Sequence, residues 1–177
     1  MSNLEQLKYP IGPFSNVDLS SQEDRKPFID ELEACGFNLR RSVEGLTDEQ
    51  LDTPYRESGW TLRQVVHHMF DSHANAYIRF RLALTENEPR ITAYNEADWA
   101  ELNDTFSVPV SVSLDLIDGL HIRFVATIRN MTQEDFARNL DHPEIGLVNL
   151  DTMLQLYAWH SRHHVAHITS LRERMGW

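Results

Sequence analysis

Apolar residues recur every three or four positions along four stretches of the chain, the spacing of one buried helix face. In the first, Phe28, Ile29, Leu32, Leu39, Val43 and Leu46 mark the stripe. Ser20 or Ser21 caps it, Glu23 and Asp24 fill its first turn, and it runs to about Gly45. In the second, Leu62, Val65, Val66, Met69, Phe70, Tyr77, Phe80 and Leu84 predict a helix opening at Trp60-Thr61 and ending near Glu86. The third starts at Ser111 or Ser113 and carries Leu114, Leu116, Ile117, Leu120, Phe124, Val125 and Ile128 to about Met131. The fourth runs from Leu150 to Met175. No stretch shows convincing strand alternation. The pattern predicts an all-α four-helix bundle whose connections are long enough for a crossover.

The connections carry their own signals. Residues 87–109, bracketed by Pro89 and Pro109, form a long link with a short capped helix over 95–102. A link of this length is expected to cover one end of the bundle. Thr47-Asp48-Glu49-Gln50-Leu51 and Thr132-Gln133-Glu134-Asp135-Phe136 each read as one capped turn. Residues 139–149, with Pro143 and Gly146, read as irregular or hairpin-like, and His142 there as exposed. Over residues 1–19, Tyr9-Pro10-Ile11-Gly12-Pro13-Phe14 excludes a helix and suggests an arm packed on the body. The whole chain, 1–177, reads as one domain.

Composition narrows the function. A net charge of −11 argues against nucleic acid and against an anionic membrane surface as partners. No apolar run approaches the roughly 20 residues of a membrane span. Met1-Ser2-Asn3-Leu4-Glu5 shows no basic and apolar leader, and the single cysteine, Cys35, fits a reducing compartment. A cytoplasmic placement follows as the expectation. Cys35 itself reads as a packed helix residue rather than a nucleophile.

The chemistry lies in the histidines. Trp159-His160-Ser161-Arg162-His163-His164-Val165-Ala166-His167 places four within eight residues. On a helical wheel His160, His164 and His167 share the face of Met153, Tyr157, Ile168, Leu171 and Met175, while His163 sits on its flank. His160 and His164, one turn apart, present two imidazoles side by side, as two metal ligands on one helix require. A second cluster, His67, His68 and His73, lies on the second predicted helix. The competing reading is a set of hydrogen-bonded core histidines. Periodicity leaves open which of His67 and His68 points inward, and His121 reads as structural.

Gly59-Trp60-Thr61-Leu62-Arg63-Gln64-Val65-Val66-His67-His68-Met69-Phe70-Asp71-Ser72-His73, together with the Trp159–Ile168 segment, resembles the DinB/YfiT-like superfamily in its YfiT branch. The Tyr9-Pro10-Ile11-Gly12 arm, Leu51-Asp52-Thr53-Pro54-Tyr55-Arg56 and the final Arg174-Met175-Gly176-Trp177 belong to the same pattern, so the likeness covers almost the whole chain. The resemblance implies a divalent metal held by three histidines, one from the second helix and two from the fourth. In the family the first ligand follows a tryptophan by eight residues, which maps to Trp60 and His68; the others map to His160 and His164. His67, His73, His163 and His167 become supporting or substrate-contacting residues. Met69-Phe70 stands where relatives commonly carry Leu-Ala, a bulk expected to narrow the pocket.

Three imidazoles leave an open coordination position, as catalytic sites do. Zn2+ or Ni2+ is the expected metal, with Fe or Mn as other occupants. The family resemblance implies either metal-dependent hydrolysis by water or transfer of a low-molecular-weight thiol such as bacillithiol to a small-molecule electrophile. Asp71 is a candidate to orient an imidazole, and Arg63, Arg79 or Arg162 to receive a carboxylate of the thiol cofactor. A metal-binding or stress-response scaffold without catalysis is the alternative, and a homodimer fits each reading.

Overall fold

The computed structural model describes residues 3–177. Met1 and Ser2, and with them part of the predicted arm and of the leader reading, lie outside the described residues.

Four long helices form the bundle: α2 (Gln22–Val43), α4 (Leu62–Thr85), α7 (Val110–Arg129) and α9 (Leu150–Met175). Short elements join them: α1 (Asn3–Lys8), α3 (Asp48–Leu51), α5 (Glu96–Trp99), α6 (Asn103–Ser107), α8 (Gln133–Phe136) and the strands β1 (Asn139–His142) and β2 (Gly146–Asn149). α2 packs against α7 and α9, and α4 packs against the same two helices. Consecutive helices α2 and α4 therefore stand diagonally, so the chain must cross the bundle instead of going up and down around it.

Local chemistry sets the helix starts. Ser21, Thr47, Thr61 and Thr132 each accept a hydrogen bond from the backbone N–H three residues on, and the side chain there answers the cap's own N–H. Each box satisfies two donors that a helix start leaves free. Asn149 caps α9, and Gly176, at φ +72°, ends it in the left-handed conformation that glycine adopts without strain.

Three elements differ from the sequence reading. α1 lies in the arm, but it ends at Lys8, so the prolines exclude a helix only from residue 9 onward. α7 begins at Val110 with Pro109 as its cap rather than at a serine; proline's fixed φ, here −61°, suits a helix entry. The 87–109 link contains α6 as well as α5. It is stitched down where Gln64 donates to the Ala100 carbonyl, where Ile91 N–H donates to the Asp141 carbonyl, and where Asp141 N–H donates to the Pro89 carbonyl. The 139–149 link is an antiparallel hairpin, with Leu140 opposite Val148.

The core is two apolar clusters. One gathers Leu32, Phe80, Phe124, Phe136, Leu140, Met153 and Leu154; the other gathers Leu39, Leu62, Val65, Met69, Leu114, Ile117 and Ile168. On α4, α7 and α9 the buried residues between the two clusters are polar or small, with His73, His121 and His164 among them and His160 half-buried beside them. A layer of imidazoles thus divides the core. No described helix is long and apolar enough to cross a membrane.

Candidate metal centre

α4 supplies His68 and α9 supplies His160 and His164. One ligand atom of each lies within 4.8 Å of the other two. His68 Nε2 and His160 Nε2 face each other at 3.2 Å. Two nitrogens bound to one tetrahedral zinc at ~2.05 Å stand about 3.3 Å apart, so this pair already has the spacing of adjacent ligands. The rings open into a cavity of about 510 Å³, lined among others by Tyr55, Trp60, Tyr94, Trp159 and His163. That volume suits a small organic molecule.

Hydrogen bonds behind the rings fix which nitrogens carry lone pairs. His121 Nδ1 lies 2.5 Å from the Leu32 carbonyl oxygen, which can only accept, so Nδ1 carries the proton and Nε2 does not. His121 Nε2 therefore accepts from His73 Nδ1 at 2.9 Å, and His73 Nε2 accepts from His160 Nδ1 at 3.3 Å. His160 is left with a bare Nε2 aimed at His68. On the other side His167 Nε2 donates to the Lys8 carbonyl at 3.0 Å. Its Nδ1 then accepts from His164 Nδ1 at 3.4 Å, which leaves His164 Nε2 bare as well. Ligating histidines are held in this way by partners on the far ring nitrogen.

The electrostatics keep the rings neutral. Burial holds His68 down at about 4, and it pushes His160 and His164 well below the usual imidazole range, with their neighbouring histidines adding to the effect. Burial also lowers His167 to about 4 and His163 to about 3. The unfolded chain protonates these groups near 6.5, so between that value and the folded pKa it binds more protons than the fold does. Stability is therefore lost as pH falls through this window, by up to about 1.4 kcal/mol per pH unit for His68 alone. Asp71, raised to about 6 first by burial and then by Asp104, works the other way: its contribution is lost as pH rises through 6. The histidines outnumber it. The melting temperature of metal-free protein is expected to drop from pH 7 to pH 5 by calorimetry; an unchanged value would contradict the buried neutral layer.

Other predicted residues lie elsewhere. His67 turns towards α7, where its Nδ1 meets Ser113 Oγ at 2.8 Å. Asp71 lines a separate recess with His67, Trp99 and Asp104, and makes no side-chain bond to a described imidazole. Neither Met69, fully buried in the core, nor Phe70 lines the cavity, so their bulk does not narrow it. Arg63 is held by Asp48 and Asp52, and Arg162 by Glu31, both away from the histidines. Arg79 does line the cavity. So does His142, which is buried rather than exposed, because the hairpin folds its strand onto the bundle. His121 is structural, but it is the second link of the relay behind His160. Cys35, His73 and His121 also come within 4.8 Å of one another. There both rings are already engaged in the relay, and burial pushes the Cys35 thiol up to about 12, so it offers no thiolate.

Residues 31–168 match the DinB superfamily model. A Bacillus mycoides protein named "Putative metal-dependent hydrolase" is 49% identical over 98% of this chain and 100% of its own length. YfiT from Bacillus subtilis, whose structure is described as an unusual four-helix bundle, superposes with a TM-score of 0.94 at 48% identity, covering 97% of this chain and 99% of that one. TT2238, also described as a four-helix bundle protein, shares the fold at 20% identity and a TM-score of 0.55 over 80% of this chain and 94% of its own. With a matching model across most of its length and relatives this similar end to end, the chain belongs to the DinB superfamily.

Proposed function

We propose that this protein is a metal-dependent enzyme in which His68, His160 and His164 hold a divalent ion and a small-molecule substrate occupies the adjoining cavity. The observation that carries the reading is the pair of histidine relays. Each ends on a backbone carbonyl and leaves one Nε2 lone pair free, on His160, where it faces His68 Nε2, and on His164, whose ring brings a nitrogen within 4.8 Å of ring nitrogens of the other two. Three neutral nitrogen donors suit Zn2+ or Ni2+. A divalent ion bound there supplies Lewis acidity, which turns a weakly acidic water or thiol into its nucleophilic anion at neutral pH.

The chain's own groups favour a thiol as that nucleophile. The carboxylates lining the cavity are Glu96 and Glu144, both exposed at its mouth. No carboxylate among the described residues is buried against the three histidines to take a proton from water. Cys35 is fully buried in the core and does not line the cavity. A nucleophile that arrives with its own acidic proton needs neither group. Trp60, whose ring lies 4.7 Å from that of His68, and Tyr55, stacked on His167 at 4.0 Å, help to wall the site. Hydrolysis is the second reading, and the names of the relatives favour it.

The test incubates metal-loaded protein with monobromobimane, with and without bacillithiol, beside an activated ester. Turnover that requires the thiol and disappears in His160→Ala is the expected result. Ester cleavage without added thiol would move the assignment to hydrolysis, and inertness to both would leave a metal-binding scaffold.

A further inference from the structure

Among the described residues three arginines are buried, and one of them lacks an acidic partner. Arg25 grips Asp151 through Nε and Nη2 at 2.6 and 2.7 Å. Arg63 offers the same edge to Asp52 and Asp48 at 2.6 and 2.8 Å. Arg79 is 92% buried in terms of accessible surface, since 8% of it is exposed, and it makes a single hydrogen bond, from Nη1 to Tyr157 Oη at 3.0 Å. Among the described residues nothing accepts from its Nε, which is enclosed, or from Nη2, which is not. In a chain of net charge −11, with 27 Asp and Glu residues, no ion pair to this cation is formed among the described residues.

We infer that the guanidinium of Arg79, reached from the cavity through Nη2, is a subsite for a carboxylate carried by the substrate, at the far end of the cavity from His68, His160 and His164. The inference rests on the reading of that cavity as a substrate site. Arg79 lines the cavity together with Ser72, Tyr94, His142 and the histidines. It follows His68 on α4 by 11 residues, three helical turns, which keeps both on one face and sets their Cα atoms roughly 16 Å apart. Tyr157 bridges the distance. Its hydroxyl accepts from Arg79, and its ring lies 5.4 Å from that of His73 and 6.1 Å from that of His160. A molecule seated here is therefore extended, with its reacting end at the histidines and its anionic end at the guanidinium.

The class of anion follows from charge. One guanidinium balances one negative charge, and its free Nη2 N–H groups donate to a carboxylate oxygen in a charge-assisted bond. His142, the other cation-forming group at this end, is held neutral by burial and then by the charge of Arg79, so it adds no second positive charge. A dianionic phosphate would be left half neutralised. Glu96 and Glu144 stand at the mouth, where they disfavour anions that fail to reach Arg79.

The test titrates 6-mercaptohexanoate and its uncharged counterpart, 6-mercaptohexanol, into zinc-loaded and metal-free protein. Binding is read from the fluorescence of Trp60 and Trp159, which line the cavity, and zinc content is measured on the same samples. The acid is expected to bind roughly 10–100-fold tighter than the alcohol, the value of a hydrogen-bonded charge pair. Arg79→Gln brings the two within about twofold of each other and leaves the alcohol unchanged. Arg79→Lys keeps a charge but withdraws it from the position of Nη2, and it lowers the ratio about threefold or more, which decides the matter if the glutamine variant does not fold. Equal binding of acid and alcohol by the wild type overturns the subsite, as does a ratio that survives either substitution. Failure to take up zinc would sink the metal reading alone, because the ratio in metal-free protein still judges Arg79.

Discussion

Replacing His160 with alanine is expected to abolish stoichiometric uptake of Zn2+ or Co2+, and His68→Ala and His164→Ala should do the same. Each variant leaves two nitrogens where three converge within 4.8 Å. His67→Ala should keep the metal, because its Nδ1 is engaged by Ser113 on the other side of α4. His121→Leu should sit between these extremes. It removes the acceptor that holds His73, and through it His160, in one tautomer, and the loss of such a partner weakens metal binding by about 10–100-fold. Competition with a chromophoric chelator measures all five proteins. Loss of metal from His67→Ala with retention in His68→Ala would overturn the ligand set.

The largest expected effect on stability comes from Asp151→Ala. Arg25 is completely buried and makes two short bonds to Asp151, while its guanidinium lies over the Phe136 ring at 4.4 Å. Without Asp151 the charge stays in the core with no counter-charge, and only the Leu19 carbonyl, 3.5 Å from Nη2, is left to accept from it. Breaking a buried pair from one side costs about 3–5 kcal/mol, which lowers the melting temperature of a chain of this size by roughly 10 °C. Removing Glu33 from its exposed pair with Arg129 should cost less than about 1 kcal/mol. Urea denaturation of the two variants supplies the comparison; equal losses would show that Arg25 relaxes to solvent. Asp151 lies in the first turn of α9, so this pair also ties the helix that carries His160 and His164 to α2.

The four long helices were legible because their signals are local. Caps such as Thr61 with Gln64 and stripes such as Leu62, Val65 and Met69 are written within a few residues of one another. The choice between His67 and His68 was not legible from periodicity. Adjacent residues fall on opposite shoulders of a helix, and only the placement of α7 and α9 around α4 decides which shoulder meets which neighbour. That placement depends on the crossover, a property of the whole chain. The family pattern named His68, and the structure brings His68 rather than His67 to His160 and His164. His142 was read as exposed because a Pro-Gly link usually is; the pairing of Leu140 with Val148 that folds it inward joins residues eight apart. The relays behind the rings escaped the sequence for a further reason. They end on the carbonyls of Lys8 and Leu32, and a backbone oxygen leaves no mark in residue identity.

Those two main-chain ends bear on how the protein can change through descent. A peptide oxygen persists whatever side chain its residue carries. Position 8 can therefore drift among types that preserve the backbone path, and position 32 is restricted by the core packing of Leu32 rather than by the relay, so the rings they aim keep their bearing. Inheritance of the site is concentrated in the imidazoles themselves, while the anchors behind them are exempt from point replacement.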